Sequence, residues 1–182
     1  MANNNNTEKT IPLRSEIKDE FKWNLQSLYP DDASWEKDLA VYSQALEKIP
    51  AFKGTLGQSA ESLALYLDFS RDLGVLEEKL AYYSELRETE DEGNNAARTM
   101  TGKFTMAAAK IGAALSWTIP EIQSIPDDKI SSFLSHPGIK DYTVFLQKVK
   151  SLFQGQGLFP PEKFPVAFFY FVNYNKKIKN LP

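Results

Sequence analysis

From Ala60 to Glu90 the apolar residues recur at helical spacing over about 30 residues: Leu63, Tyr66, Leu67, Leu73, Leu76, Leu80, Tyr83 and Leu86 share one broad stripe. A helix of that length spans roughly 45 Å at 1.5 Å rise per residue. It is a rod with one face that must be kept from water, and neighbouring elements have to cover that face. Ser59 is placed to cap it, because a short side-chain oxygen satisfies free N–H groups in a first turn. Gly74 interrupts the run at a cost of about 1 kcal/mol relative to alanine, and a glycine there lets a neighbour come close.

The sequence supplies the covering elements. "TEDEGNN" reads as the hinge of a helical hairpin, and Asn94 or Asn95 caps the next helix, residues 96–117. Met100, Phe104, Ala107, Ala108, Ile111 and Leu115 make its apolar face, and the small residues Ala107, Ala108, Ala109, Gly112 and Ala113 allow close packing. Upstream, Pro30-Asp31-Asp32 turns the chain into a helix capped by Asp32 or Ser34, with Trp35, Leu39, Tyr42, Leu46 and Ile49 inward and Pro50 as its stop. Downstream, Pro120 takes a first helical position, Pro126-Asp127-Asp128 opens another short helix with Ile130, Phe133 and Leu134 inward, and Pro137-Gly138 ends it. Ile139, Tyr142, Leu146, Val149 and Leu152 or Phe153 pattern the last helix. The expected fold is all-α: two long antiparallel helices plus shorter ones, with an irregular tail.

The texture breaks after about residue 150. Residues 151–182 carry closely spaced prolines, the aromatic block "VAFFYFV" and a basic end, with no clear helical or strand period. The organisation expected is a disordered leader over 1–11, a helical domain over 12–150, and a divergent tail over 151–182, read out of frame in a truncated product. The competing expectation is a genuine small protein with its own C-terminal element.

Charge and residue usage limit the chemistry. A net charge of −3 argues against nonspecific nucleic-acid binding, which needs Lys and Arg against phosphates. The absence of Cys removes disulfides, thiolate metal sites and thiol nucleophiles, and it fits a cytoplasmic setting. No run approaches the roughly 20 apolar residues of a membrane helix, so no membrane partner is expected. The single histidine, His136, lacks the companions of a metal site and reads as a cation at a helix C-terminus. Glu85, Glu88, Glu90, Asp91 and Glu92 lack the alternating ligand pattern of a calcium loop and read as a solvated helix end. Asp127-Asp128 reads as a cap rather than an acid–base pair. No glutamate stands three residues before His136, which argues against a di-metal carboxylate bundle. We therefore assign no catalytic, cofactor-binding or metal residue and expect no cofactor.

Four blocks in order carry a more specific signal: "FKWNLQSLYPDDASWEKD", "IPAFKGTLGQSAESLALYL", "LEEKLAYYSELRETEDEGNNAARTM" and "LSWTIPEIQSIPDDKISSFL". Together, over about residues 12–149, they resemble the N-terminal region of oligoendopeptidase F, in the thimet-oligopeptidase-like family of zinc peptidases. The resemblance implies a nearly all-helical lobe that walls a deep channel for short peptides. It also implies zinc chemistry on an H-E-x-x-H helix elsewhere in the family, where the motif glutamate acts as general base on zinc-bound water. This sequence contains no H-E-x-x-H, so no catalytic or metal role transfers to any position. The expected function is a truncated peptidase lobe, not catalytic alone, with zinc and peptide substrate belonging to full-length relatives. The alternative is a stand-alone helical protein–protein interaction module. Either should expose apolar helix faces, and self-association is expected from them.

Overall fold

A computed structural model describes residue 12 and residues 14–151. The expectations for the leader 1–11 and for residues 152–182 lie outside the described residues. Within them the chain is helical, with no strand: short 3-10 turns at Arg14–Glu16, Asp19–Phe21 and Leu25–Ser27 precede the first helix, α1, Asp32–Lys48. Then come a 3-10 turn at Ile49–Phe52, α2 at Ala60–Glu90 and α3 at Asn95–Ala114. Three shorter helices close the described chain: α4 at Thr118–Ser124, α5 at Asp127–Phe133 and α6 at Thr143–Ser151, the last entered through a 3-10 turn at Lys140–Tyr142.

The local signals act largely as read. Ser59 Oγ accepts from Ser62 N at 3.1 Å, and Asn94 Oδ1 accepts from Ala96 N and Ala97 N, so side chains cap both long helices. At α1 the capping residue is Asp31, neither Asp32 nor Ser34: its Oδ1 accepts from Ser34 N at 2.7 Å, and Asp32 opens the helix. Pro50 ends α1 by forcing a 3-10 turn rather than a break. Pro120 is the third residue of α4 rather than its first, still within the turn whose N–H groups lack helical acceptors. The last helix is split, since the stretch after Ile139 spends three residues in a 3-10 turn before α6 begins.

Periodicity decides what α2 buries. Leu63, Tyr66, Leu67, Leu73, Leu80 and Tyr83 are buried, and Leu76 packs against them from a half-buried position. α1 runs antiparallel to α2, with Trp35 against Leu80 and Phe52 against Tyr66 and Phe69. α3 returns antiparallel along another side, where Thr101 Oγ1 donates to Ser84 O and Trp117 meets Tyr66. Lys103 of α3 joins Glu36 of α1 at 2.6 Å, closing a three-helix body. Ala107 and Ala108 do pack on this core, but Ala109 and Ala113 face solvent, because a helix 3.6 residues per turn cannot turn five small residues inward together.

α4, the turn after α5 and the 3-10 turn before α6 pack on the N-terminal half of α2, and α6 packs on α4. Tyr66 Oη and Thr118 Oγ1 share a buried hydrogen bond of 2.6 Å, Tyr142 Oη donates to Asp68 Oδ1 at 2.7 Å, and Gly138 lies beside Ala64. The loop between α1 and α2 is pinned from α4. Glu121 accepts from Gly54 N at 2.8 Å with one carboxylate oxygen and from Leu56 N at 2.9 Å with the other. Gly54 has φ +81°, a conformation strained for any residue with a side chain, and it lets the loop turn both amides toward that carboxylate.

Candidate functional site

Three groups of polar residues have the chemistry to form a site. The first is His136, three residues past the end of α5. Its Nδ1 accepts from Gly138 N at 3.2 Å, and its Nε2 lies 3.5 Å from Glu61 Oε1. The ring turns back onto the Pro-Gly turn and ties it to the start of α2.

The second is the hairpin tip. Glu85, Glu88, Thr89, Glu92 and Arg98 line a shallow cavity of about 360 Å³. Arg98 donates to Glu92 O at 2.7 Å and stands 3.9 Å from Glu88. Glu90 is turned elsewhere and accepts from Trp23 N at 3.0 Å, while Asp91 Oδ1 accepts from Gly93 N. The acidic run is thus dispersed among separate structural bonds. No group of three or more His, Cys, Asp or Glu side chains among the described residues is placed to hold a metal ion. Asp127 and Asp128 do not cap α5, whose preceding residue is Pro126; Asp127 instead pairs with Lys150 at 2.7 Å.

The third group is the α1–α2 seam, which sequence reasoning passed over. Three acid–tyrosine pairs line it. Tyr83 Oη donates to Asp32 Oδ1 at 2.9 Å, with Arg87 bound to the same carboxylate. Tyr29 Oη donates to Asp38 Oδ2 at 2.8 Å, with Lys79 at 3.5 Å from that oxygen and 3.9 Å from the Tyr29 ring centroid. The third pair, Tyr42 and Glu77, differs. The Tyr42 ring is fully buried, and its hydroxyl has no hydrogen-bond partner among the described residues; the half-buried Glu77 is the acid whose charge bears on it. Burial pushes the Glu77 carboxyl up to about 7, the neighbouring Glu78 charge adding to the rise and Tyr42 opposing it. The signal was available: Leu73, Glu77, Leu80 and Ser84 follow one another at helical steps, so an acid sits on an otherwise inward stripe.

None of these groups combines a nucleophile, a base and an open pocket. The chain's relatives say what such a helical body is similar to. It is 28% identical over 124 residues to oligopeptidase PepF of Bacillus subtilis, covering 68% of this chain and 18% of that protein. It is 26% identical over 137 residues to the group B oligopeptidase PepB of Streptococcus agalactiae, covering 75% of this chain and 23% of that protein. The fold superposes on a crystal structure described as a peptidase from Chlamydophila abortus with TM-score 0.70 and 25% identity, over 89% of this chain and 27% of that one. This chain is homologous to oligoendopeptidase F.

The fold also matches oligoendopeptidase-F of Enterococcus faecium, with TM-score 0.63 at 22% identity over 77% of this chain and 27% of that one. No protein-family model matches the chain. The chain spans about a fifth of the length of the curated oligopeptidases it matches. The resemblance read from the four sequence blocks is borne out, as is the all-α fold. No described helix is long and apolar enough to cross a membrane.

Proposed function

We propose that this chain is the helical N-terminal lobe of a cytoplasmic oligopeptidase, and that its part in such an enzyme is to wall the peptide channel. The observation behind the reading is the asymmetry of coverage: relatives named as oligopeptidases align with 68–75% of this chain, yet the chain spans only 18–23% of them. The described residues supply a rigid helical body without clustered metal ligands, and the sequence has no H-E-x-x-H. On this reading zinc and scissile peptide are handled by segments other than those described. The chain restricts entry to short, unfolded peptides by presenting a packed wall.

The purified chain supplied with zinc should leave a fluorogenic oligopeptide uncut. Added to a relative from which the matching segment has been deleted, it should restore cleavage of that peptide. Chelator-sensitive cleavage by the chain alone, or no restoration by a folded chain, would overturn the reading.

A second reading, a helical interaction module, rests on side chains left outside the core. Phe21 is 74% exposed and Trp23 61%, and Val75 and Tyr82 lie one heptad apart on the outer face of α2. Exposed apolar surface favours association. Light scattering across a concentration series should therefore show a dimer or larger species; a monomer throughout would remove this reading.

A further inference from the structure

We propose that the second half of α2 carries a docking face for a segment of this same chain: the aromatic and basic residues 166–179 seat on Val75, Glu78, Tyr82 and Glu85. Charge points to the pairing. Ala60–Glu90 holds eight carboxylates against three cations, a net −5, while residues 152–182 hold four lysines against one glutamate, a net +3. All three cations of α2 are engaged by other acids: Arg71 by Asp68 and Asp72, Lys79 by Asp38, and Arg87 by Asp32. Glu78 and Glu85 are left with no paired cation among the described residues. Steps of three, four and three put Val75, Glu78, Tyr82 and Glu85 in one line along the helix, so apolar and acidic side chains alternate there. Val75 is 51% exposed and Tyr82 40%.

The segment brings the matching chemistry: its apolar block "VAFFYFV" is followed within seven residues by Lys176, Lys177 and Lys179. An uncharged block of that kind pairs readily with other chains, and an apolar face within its own chain gives it a cover. The attachment point is close. The described residues end with α6, whose entry turn is fixed to α2: Tyr142 Oη donates to Asp68 at 2.7 Å and accepts from Arg71 at 3.0 Å, one turn before Val75. The stretch from Ser151 to Val166 can extend about 50 Å, and Val75 and Glu85 stand only about 15 Å apart along the helix. A tethered segment meets this face at an effective concentration of order mM, so exposed ion pairs worth little one by one suffice. A second copy would have to supply the same contacts at the free protein concentration. The tether therefore favours this segment at Val75 and Tyr82, which leaves Phe21 and Trp23 for association between chains.

The test uses the full chain, as an equal mixture of ¹⁵N-labelled and unlabelled protein treated with a carbodiimide, which joins a lysine amine to a carboxylate in direct contact. Mass spectrometry of the digest should show Lys176, Lys177 or Lys179 joined to Glu78 or Glu85, with both peptides carrying the same isotope. The yield should fall roughly tenfold between about 0.01 M and about 1 M salt, as the screening length shrinks from about 30 Å to about 3 Å. Hydroxyl-radical labelling of Tyr82 is the second readout. Its protection should be lost when the three lysines are changed together to glutamate, and should return when Glu78→Lys and Glu85→Lys are added to that variant. Links that join only peptides of unlike isotope would overturn the proposal, since a second copy would then occupy the face. So would the absence of links to either glutamate, or Tyr82 labelling that the lysine changes leave unaltered. The cross-links are read on the wild type, so they stand even if a variant folds poorly.

Discussion

Trp35→Ala should destabilise the chain by about 3–5 kcal/mol, the range for emptying a large aromatic site in a core. The indole is fully buried, and it hydrogen-bonds to the backbone of α2, donating from Nε1 to Leu80 O at 2.9 Å. Its removal opens a void where the first turn of α1 meets the second half of α2. The phenylalanine variant separates packing from the polar bond. Leu80 O also accepts from Ser84 Oγ at 3.1 Å, so it is not orphaned when the indole donor is lost. Trp35→Phe should therefore cost about 1–2 kcal/mol, from lost volume and one modest hydrogen bond. Urea unfolding of the two variants checks both values. An alanine variant within about 1 kcal/mol of wild type would mean that the seam does not depend on this anchor.

Glu121→Ala should cost about 2–3 kcal/mol, because two backbone N–H groups lose a charged acceptor at once. Leu56 is fully buried, so its amide cannot simply turn to water, whereas Gly54 lies nearer the surface. The loss should be local as well as global. Hydrogen exchange at Gly54 and Leu56 should accelerate well beyond the change at α2 amides. Glu121→Gln keeps one accepting oxygen and should recover roughly half of the loss, since bonds to a neutral acceptor are about half as strong. An alanine variant with unchanged exchange at these two amides would show that the loop is held by Gly54's backbone conformation and the burial of Leu56 instead.

The contrast between these two residues shows what the sequence makes legible. Trp35 could be placed inward from its spacing with Leu39 and Tyr42, because helix periodicity is a local signal. The same holds for the stripe of α2 and for the caps Ser59 and Asn94, each of which bonds amides within three residues of itself. Glu121 bonds amides 67 and 65 residues away, and nothing in "TIPEIQS" distinguishes it from a solvated helix residue. Asp31 and Asp32 are locally equivalent as caps. What separates them is that Asp32 is engaged by Arg87 and Tyr83 from α2. His136 lies in the turn where the sequence places it, and only the fold shows its Nδ1 turned back on Gly138. Glu77 falls between these cases: its spacing with Leu73 and Leu80 marks it as inward, while its half-buried position is set by the elements packed against α2.

The continuity of α2 also has a consequence for how the chain comes apart. At 31 residues it is about 46 Å long. Its first half carries the contacts to α4, to the turn after α5 and to the 3-10 turn before α6, through Tyr66, Glu61, Ala64 and Asp68. Its second half carries Trp35, Thr101 and the paired acids of the seam. No loop interrupts it where one half could be released while the other stayed folded. Its one mid-helix glycine, Gly74, is itself buried. The helix is therefore a common spine for two clusters of partners, and melting either end removes the template on which the other is assembled. Cooperativity in this chain is built into a single element, so damage introduced at the small helices is felt at the distant tip of the hairpin.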